Sequence, residues 1–240
     1  MLKAVTFDWG DTLVQDGWNE DVQREGTAAG LAALAEREDL PDVEAIVAWT
    51  AQAPQFADQR REDELDAIEE TRRCFRDLGA ELGEEEATAY YEAFHETWGR
   101  TLAVSPHAHA LLEALRQRGL KLGIVSNVVT PGRLVRAPVE RQGLSGRVDA
   151  IVLSCEVGKR KPHPAIFERA LAELGVEAHE TIHVGDRLHH DVGGAARLGM
   201  TTVQALWFRA DDDAESPEPD FEAFTMFDVL NIVDRVAAAR

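Results

Sequence analysis

The sequence is organised around a short apolar run near its start that ends at a carboxylate. Ala4–Phe7 is rich in residues that favour β-strands, Asp8 follows directly, and a turn with Gly10 leads to the hydroxyl of Thr12. Open α/β folds bind ligands beyond the carboxyl ends of their strands, so such a run can bring a reactive carboxylate to the binding edge of a sheet. By itself the stretch favours the simpler interpretation of an ordinary strand and turn.

Composition and charge narrow the class of protein. At 240 residues, 45% of them hydrophobic, the chain can bury one large core or two modest ones. Its net charge of −19 argues against nucleic acid or an anionic membrane as the main partner. No apolar run approaches the roughly 20 residues that span a bilayer. Lys3 leads straight into the first strand, so no signal peptide is expected. With only Cys74 and Cys155, a disulfide framework is not expected, and we predict a cytoplasmic location.

The order of strand and helix patterns predicts a core with an inserted domain. Residues 18–100 contain no convincing strand, and three or four helices fit there, with helical spacing of apolar residues over 62–82. Beyond Ser105, strands and helices alternate, which predicts a mainly parallel sheet with helices on both faces. The strands are predicted at 121–126, 148–154, 181–184 and 201–206, and the helices at about 105–118, 132–142, 164–174, 190–198 and 227–239. The predicted fold is a doubly wound, Rossmann-like α/β core, residues 1–14 and 103–240, interrupted by an all-helical cap, residues 15–102.

Polar groups follow the strand predicted at 121–126 and precede a later helix. Ser126 and Asn127 end the strand, where a hydroxyl and nearby backbone N–H groups could hold an anion or simply cap a helix. Lys161 stands before Pro162 and Pro164, which restrict the backbone at the start of the next helix. A lysine fixed in this way could offset the charge of a phosphoryl group, although a plain basic loop has the same composition.

A later predicted strand also ends at a carboxylate. Asp186 follows it, and Asp191 lies five residues further on, at the start of the next helix. In a doubly wound sheet Asp8 and Asp186 could meet at one edge, where carboxylates repel each other unless a cation lies among them or one is protonated. Oxygen ligands favour Mg²⁺ over zinc, and the adjacent His189 and His190 cannot share a helical face as a zinc-binding pair. We therefore predict a magnesium site.

Together these segments resemble the haloacid dehalogenase superfamily, in the subfamily with a helical cap inserted after the first motif. The resemblance spans essentially the whole chain, and it implies a Mg²⁺-dependent hydrolase, most commonly a phosphatase acting on a small phosphorylated metabolite. It rests on four motifs in order: Asp8…Thr12; Ser126; Lys161 within Gly158-x-x-Lys161-Pro162-x-Pro164-x-x-Phe167; and His183-Val184-Gly185-Asp186…Asp191…Gly199-Met200.

The resemblance implies a role for each motif residue. Asp8 would be the nucleophile that forms an aspartyl-phosphate, which water then hydrolyses. Asp8, Asp186 and the carbonyl of Gly10 would hold Mg²⁺, with Asp191 supporting the site directly or through another ligand. The cap would close over the site and select the substrate. The other implied residues are Ser126, Asn127 and Lys161, which would grip the substrate, and Thr12, which would orient the first loop.

One position departs from the family pattern. Most phosphatases of this superfamily carry a second aspartate two residues after the nucleophile, where Gly10 stands here. Such an acid/base group contributes about 10²–10⁴ in rate, so this phosphatase could be slow or restricted to good leaving groups. Asp11 could turn inward and replace the missing carboxylate, or it could be a simple turn residue.

Two other functions stay open at this point. A dehalogenase would need no metal, which leaves Asp186 and Asp191 unexplained, and a non-catalytic binding or regulatory protein could keep the fold alone. Phosphonate cleavage is excluded, because it needs a cap lysine and none lies between Lys3 and Lys121. The sequence predicts no oligomeric state. A second anionic group of the substrate could contact arginines of the cap, namely Arg60, Arg61, Arg72, Arg73, Arg76 or Arg100.

Overall fold

Strands and helices alternate through most of the chain and are interrupted by a helical segment near its start. The structure is a computed structural model and describes residues 1–58, 60–211 and 213–239. The strands are β1 (Ala4–Phe7), β2 (Val14–Gln15), β3 (Ala103–Val104), β4 (Lys121–Ser126), β5 (Ala150–Leu153), β6 (Thr181–Gly185), β7 (Thr201–Ala205) and β8 (Phe221–Ala223). The helices are α1 (Glu20–Ala32), α2 (Val43–Gln52), α3 (Pro54–Ala57), α4 (Ala67–Asp77), α5 (Glu84–Gly99), α6 (Pro106–Gln117), α7 (Gly132–Arg141), α8 (Ser154–Val157), α9 (Pro164–Leu174), α10 (Gly193–Arg197) and α11 (Asp228–Ala238).

Six strands form one parallel sheet in the order β5-β4-β1-β6-β7-β8. β1 is therefore central, with β4 on one side and β6 on the other. Successive side chains of a strand point to opposite faces of the sheet. Along β4, Ile124 joins a core cluster with Leu111 of α6, while Val125 joins a second cluster with Ile166 of α9. Helices thus cover both faces, which confirms the predicted doubly wound, Rossmann-like α/β fold.

The helices α1 to α5 form the insertion and have an apolar core of their own. Its buried members include Ile46 of α2, Phe75 of α4 and Tyr90 of α5. Where the chain enters and leaves the insertion, β2 and β3 pair as a short antiparallel ribbon, with Val14 opposite Val104. We propose on this basis that residues 15–102 act as a cap on the core formed by residues 1–14 and 103–240.

Two local features differ from the pattern that the sequence predicts. Helical spacing extends from residue 62, but α4 begins only at Ala67, because residues 62–64 pair with the core: the backbone N–H of Arg160 donates to the carbonyl of Glu62, and that of Glu64 donates to the carbonyl of Gly158. The helix predicted at 190–198 begins with a π-helical turn, Leu188–Val192, before α10.

Candidate active site

Three predicted site residues lie at the carboxyl ends of neighbouring strands. Asp8 directly follows β1, Ser126 is the last residue of β4, and Asp186 directly follows β6. Because β1 pairs in parallel with both β4 and β6, the three strand ends reach the same edge of the sheet. All three side chains are buried. The sheet therefore brings together a hydroxyl and two carboxylates that are far apart in the sequence.

The side chain of Lys161 is buried, and its ammonium group is bound by three oxygen acceptors. Its Nζ donates to Oδ1 of Asp8 at 2.6 Å, to Oδ1 of Asp191 at 2.6 Å and to the carbonyl of Val125 at 2.8 Å. These contacts use all three donors of the ammonium group. Burial alone would lower the pKa of Lys161, but the carboxylates of Asp191 and Asp8 outweigh it and raise the pKa above its ordinary value. The lysine is therefore a buried cation that forms ion pairs with two carboxylates.

The side chain of Asn127 holds the backbone of Lys161. Its Oδ1 accepts from the backbone N–H of Lys161 at 2.7 Å, and its Nδ2 donates to the Lys161 carbonyl at 3.0 Å. Both groups of the amide are thus engaged in fixing the lysine. A direct contact of Asn127 with substrate stays a prediction, and it would use the second N–H of Nδ2, which these two hydrogen bonds do not engage.

Asp191 lies on the π-helical turn after β6 and is enclosed by donors. Its Oδ1 accepts from Lys161 and lies 3.1 Å from Nε2 of His183, and its Oδ2 accepts from the backbone N–H of Arg187 at 3.0 Å. Burial would raise the pKa of Asp191, but Lys161 and the contact with His183 hold that pKa far below its ordinary range. Gly185 permits this close approach, since a Cβ there would lie 2.2 Å from Cγ of Asp191.

Asp8, Asp186 and Asp191 form a buried acidic cluster, in which one carboxylate oxygen from each lies within 4.8 Å of the others. Burial raises the pKa of Asp186 to about 8, and the other two carboxylates add to this shift. Burial also raises the pKa of Asp8 to about 6, against the opposing effect of Lys161. A cation relieves such repulsion, and an all-oxygen donor set suits a hard divalent ion. The residues present therefore fit a divalent metal, with Asp191, whose oxygens already face donors, in a supporting position.

The first loop has room at Gly10 and a turn at Asp11. A Cβ placed on Gly10 would meet no atom within 4 Å, and the residue lines the site. Asp11 has a φ of 53°, in the left-handed region that aspartate tolerates better than most residues. Its Oδ1 accepts from the backbone N–H of Asp16 at 3.1 Å, and its Oδ2 lies 3.6 Å from Nη1 of Arg209. These contacts support the interpretation of Asp11 as a turn residue.

Thr12 lies behind this loop. It is fully buried, and its Oγ1 has no hydrogen-bond partner among the described residues. Its carbonyl accepts from Nε1 of Trp207 at 2.9 Å, which ties the loop to the segment after β7. The predicted role of Thr12 in orienting the loop stays a prediction.

A cavity of about 190 Å³ opens above these groups. Its wall includes every predicted site residue except Thr12, and it also includes Asp11. The sequence did not indicate the remaining wall residues. Arg160 and Arg187 each adjoin a motif residue, and that adjacency is the signal that could have identified them. The wall residues missed from the sequence are Trp9, Asp16, Trp98, Leu102, Val128, Arg160, Arg187, His190 and Arg209.

The cap supplies an aromatic part of this wall. Trp98 of α5 lies edge-on against Trp9, with ring centroids 6.5 Å apart, and its Nε1 donates to Oδ1 of Asp16 at 2.8 Å. None of the six cap arginines considered above is on the described wall of the cavity. Arg60, for example, donates to Glu215 at 2.8 Å on the core surface.

The fold and the site together define a class of protein. It is a capped α/β enzyme whose strand-end carboxylates can hold a divalent ion and present one of their number as a nucleophile. Lys161, bound to Asp8, supplies a fixed positive charge in the same pocket.

Comparison with known proteins gives the family. The profile of the haloacid dehalogenase-like hydrolases matches residues 2–199. A glyceraldehyde 3-phosphate phosphatase of Methanopyrus kandleri is 32% identical over 253 residues, and the match covers 99% of each of the two chains. Among solved structures, a HAD phosphatase from Thermococcus onnurineus has a TM-score of 0.67 at 26% identity, over 97% of this chain and 98% of that one. A 2-haloacid dehalogenase from Pseudomonas syringae pv. Tomato has a TM-score of 0.70 at 26% identity, over 98% of this chain and 99% of that one. The chain belongs to the haloacid dehalogenase-like hydrolase family.

These findings confirm the predicted superfamily and the prediction that the chain is a hydrolase. Among the described residues no helix is both long enough and apolar enough to cross a membrane. Cys74 and Cys155 are both free thiols, as expected from their small number.

Proposed function

We propose that the protein is a Mg²⁺-dependent phosphatase that hydrolyses a small phosphorylated metabolite through an aspartyl-phosphate on Asp8. The observation that carries this proposal is the contact of Lys161 with Asp8, in one buried pocket with Asp186 and Asp191. The glyceraldehyde 3-phosphate phosphatase among its relatives supports a phosphate ester as substrate. A cavity of about 190 Å³ is smaller than the roughly 300 Å³ at which drug-sized pockets begin, which favours a compact substrate.

Each side chain has a task that its position allows. Asp8, fixed at the end of β1, would present a carboxylate oxygen to phosphorus. Lys161 would turn one of its three donors from its present acceptors to the non-bridging oxygens of the phosphoryl group, where negative charge builds up in the transition state. Ser126 would donate its hydroxyl to the same group. A divalent ion bound by Asp8, Asp186 and the carbonyl of Gly10 would supply further positive charge against these oxygens.

Other residues would act by holding Lys161 in place. Asp191 binds the ammonium group, His183 and the backbone of Arg187 hold Asp191, and Asn127 fixes the lysine backbone. Contacts of this kind limit how far the ammonium group has to move when the substrate binds, which favours electrostatic stabilisation.

The leaving group has no aspartate at position 10 to protonate it. We therefore propose that turnover is slow for alkyl phosphates, whose leaving oxygen needs a proton, and faster for activated esters that leave as stable anions. A cytoplasmic location and the absence of a nucleic-acid partner stay predictions from composition.

Phosphate release from p-nitrophenyl phosphate and from a panel of small phosphorylated metabolites, glyceraldehyde 3-phosphate among them, tests the proposal. We expect turnover that requires Mg²⁺, is abolished by a chelator, and falls at least about a hundredfold in Asp8→Asn. Glu180→Gln is the matched control, because Glu180 is a largely buried carboxylate paired with Lys3 at 2.6 Å, outside the site cavity. Its activity should equal that of the wild type.

Dehalogenation is the alternative reaction, because a 2-haloacid dehalogenase shares the fold. The buried cluster of Asp8, Asp186 and Asp191 argues against it. Dehalogenation uses no metal, so it gives no reason for three mutually repelling carboxylates to lie this close together. Metal-independent chloride release from 2-chloropropionate, with no phosphate release from any ester, would contradict the proposed function.

A further inference from the structure

Three arginines of the core line the same cavity as Asp8 and Lys161, and two of them are paired with site carboxylates. Nε of Arg209 lies 3.3 Å from Oδ2 of Asp186, and Nε of Arg187 lies 3.5 Å from the same oxygen. These two guanidinium groups therefore balance charge within the acidic cluster. The third arginine, Arg160, does not face that cluster's carboxylates.

Arg160 is a largely buried cation with incomplete partners. Its side chain is 18% exposed, its Nη1 lies 3.8 Å from Oε1 of Glu64, and its Nε has no hydrogen-bond partner among the described residues. A guanidinium group has five N–H donors in a rigid fork. A buried charge with unused donors is unfavourable unless a ligand completes its surroundings.

Glu64 only partly neutralises Arg160, because it serves two other groups as well. Its Oε1 also lies 3.6 Å from Nη2 of Arg61, and its Oε2 accepts from the hydroxyl of Ser154. Burial is the main effect that lowers the pKa of Arg160; Glu64 and Asp58 raise this pKa, while the neighbouring cations Arg61 and Arg187 lower it further. Arg160 thus presents to the cavity a guanidinium group whose charge is only partly offset by Glu64, a carboxylate that it shares with Arg61.

We propose that Arg160 binds a second anionic group of the substrate, a carboxylate or a phosphate that lies a few bonds away from the phosphate removed at Asp8. This inference rests on the proposed phosphatase function and narrows its substrate class to small bisphosphates and phosphorylated carboxylic acids. The fork of a guanidinium group matches either anion with two parallel hydrogen bonds.

The backbone geometry fits one small molecule bound at both ends. Arg160 and Lys161 are consecutive, so their Cα atoms lie about 3.8 Å apart, and both side chains line the same cavity. Lys161 reaches inward to Asp8, while Arg160 lies toward Glu64 of the cap. A ligand that places one anion at Lys161 and another at Arg160 would therefore be short, which agrees with a cavity of about 190 Å³.

Two pairs of matched substrates test the proposal. 3-Phosphoglycerate and glyceraldehyde 3-phosphate differ only in a carboxylate against an aldehyde, and a pentose 1,5-bisphosphate and the pentose 5-phosphate differ only in a second phosphate. In at least one pair we expect the wild type to favour the member with the second anion by about tenfold or more in kcat/KM. The pair that shows the preference identifies the second anion as carboxylate or phosphate.

Arg160→Gln should remove this preference by raising KM for the favoured substrate, and Arg160→Lys should restore part of it, because a lysine keeps the charge without the fork. Arg197→Gln is the control. Arg197 is also a core arginine paired with a cap glutamate, Glu62 at 3.3 Å, but its side chain is 54% exposed and lies outside the described wall of the cavity. This variant should keep the preference of the wild type.

The proposal is overturned if the wild type shows no preference in either pair, or if Arg160→Gln lowers kcat/KM equally for both members, since Arg160 would then only support Lys161. If the wild type hydrolyses no ester at all, the phosphatase function fails, and binding decides the inference separately. Calorimetry with Mg²⁺ would compare 3-phosphoglycerate and the bisphosphate on the wild type and on Arg160→Gln. At least about tenfold weaker binding to the variant supports the second-anion site; equal binding, or none, overturns it.

Discussion

The ammonium nitrogen of Lys161 lies 2.6 Å from a carboxylate oxygen of Asp8, and the lysine side chain is only 2% exposed. The two residues are 153 positions apart in the sequence, so this contact joins the first strand to the segment before α9. The nucleophile that we propose is thus paired with a cation inside the core. The same contact therefore also contributes to the stability of the core.

Removing that cation should destabilise the metal-free protein strongly. Lys161→Met leaves Asp8 and Asp191 buried without their partner, and breaking one side of a buried ion pair costs about 3–5 kcal/mol. Urea unfolding of metal-free protein at neutral pH measures this loss in the free energy of unfolding. Lys159→Met is the control: Lys159 pairs with the exposed Asp63, and such surface pairs contribute about 0–1 kcal/mol. Equal losses in the two variants would contradict the expectation.

The raised pKa values of Asp8 and Asp186 predict how the stability of the metal-free protein depends on pH. In the folded chain they are about 6 and about 8, above the ordinary value of 3.8. A carboxyl group whose pKa is raised by folding stabilises the folded state fully below its unfolded pKa, and this contribution is lost as the pH rises through the folded pKa. These two groups should therefore lower the free energy of unfolding between about pH 4 and 8, and the change over this range should be less stabilising in the wild type than in Asp186→Asn.

A divalent metal should reverse this loss. Its ligands have to be ionised before it binds, so protons compete with Mg²⁺ at low pH more than at high pH. We expect Mg²⁺ to raise the Tm of the wild type more at about pH 8 than at about pH 5.5, and to have little effect on Asp186→Asn. Thermal unfolding with Mg²⁺ and with chelator, at both pH values, measures this rise in Tm. A rise in Tm that is the same at both pH values, or the same in Asp186→Asn, would show that the metal does not bind these carboxylates.

The parts of the site at strand ends could be predicted from the sequence. Asp8, Ser126 and Asp186 each stand at the end of an apolar run, and parallel pairing brings such ends to one edge. The contact between Lys161 and Asp8 could not be derived in this way, because no local pattern records how two distant segments meet. The same holds for Arg209, which reaches the site from the segment after β7.

Tertiary contacts also explain where local patterns were incomplete. Residues 62–66 fit helical spacing, yet Glu62 and Glu64 use their backbone groups to bond the core at residues 158–160, and such contacts override a weak helical preference. β8 has only three residues, and it follows a long polar stretch with no alternation that would mark a strand. It forms because its backbone pairs with β7.

Gly10→Asp is expected to raise the rate of phosphate release. An added Cβ meets no atom within 4 Å, so the variant should fold, and a carboxylate two residues after Asp8 could protonate the leaving group. We expect a gain of about tenfold or more in kcat for alkyl phosphates and a smaller gain for p-nitrophenyl phosphate, whose leaving group needs no proton. A lower kcat for both classes of ester would show that the pocket does not tolerate a carboxylate side chain at position 10.

Asp11→Asn serves as the comparison for Gly10→Asp. An asparagine keeps the acceptor that Asp11 offers to the backbone N–H of Asp16 and still tolerates the left-handed conformation. A turn residue should therefore change kcat/KM by less than about threefold on this substitution. A loss of at least about tenfold would instead identify Asp11 as the acid/base group that replaces the missing aspartate.

Glu64 is predicted to couple the cap to the lysine of the site. Its side chain is 3% exposed and contacts Ser154 and Arg160, at the two ends of the segment that leads to Lys161. In Glu64→Ala these buried partners lose their acceptor, which costs about 1–3 kcal/mol of stability. Because the cap and the lysine segment then lose a shared contact, kcat should fall and KM should rise together, each by several-fold.

Steady-state kinetics and urea unfolding of three variants measure this coupling. Glu64→Gln keeps an acceptor for Ser154 and should lie between the wild type and Glu64→Ala. Asp63→Ala removes the neighbouring acidic side chain, which is 77% exposed, and should change neither kcat nor KM. If Glu64→Ala loses stability while both kinetic constants stay at wild-type values, Glu64 holds the two parts of the chain together without positioning the lysine.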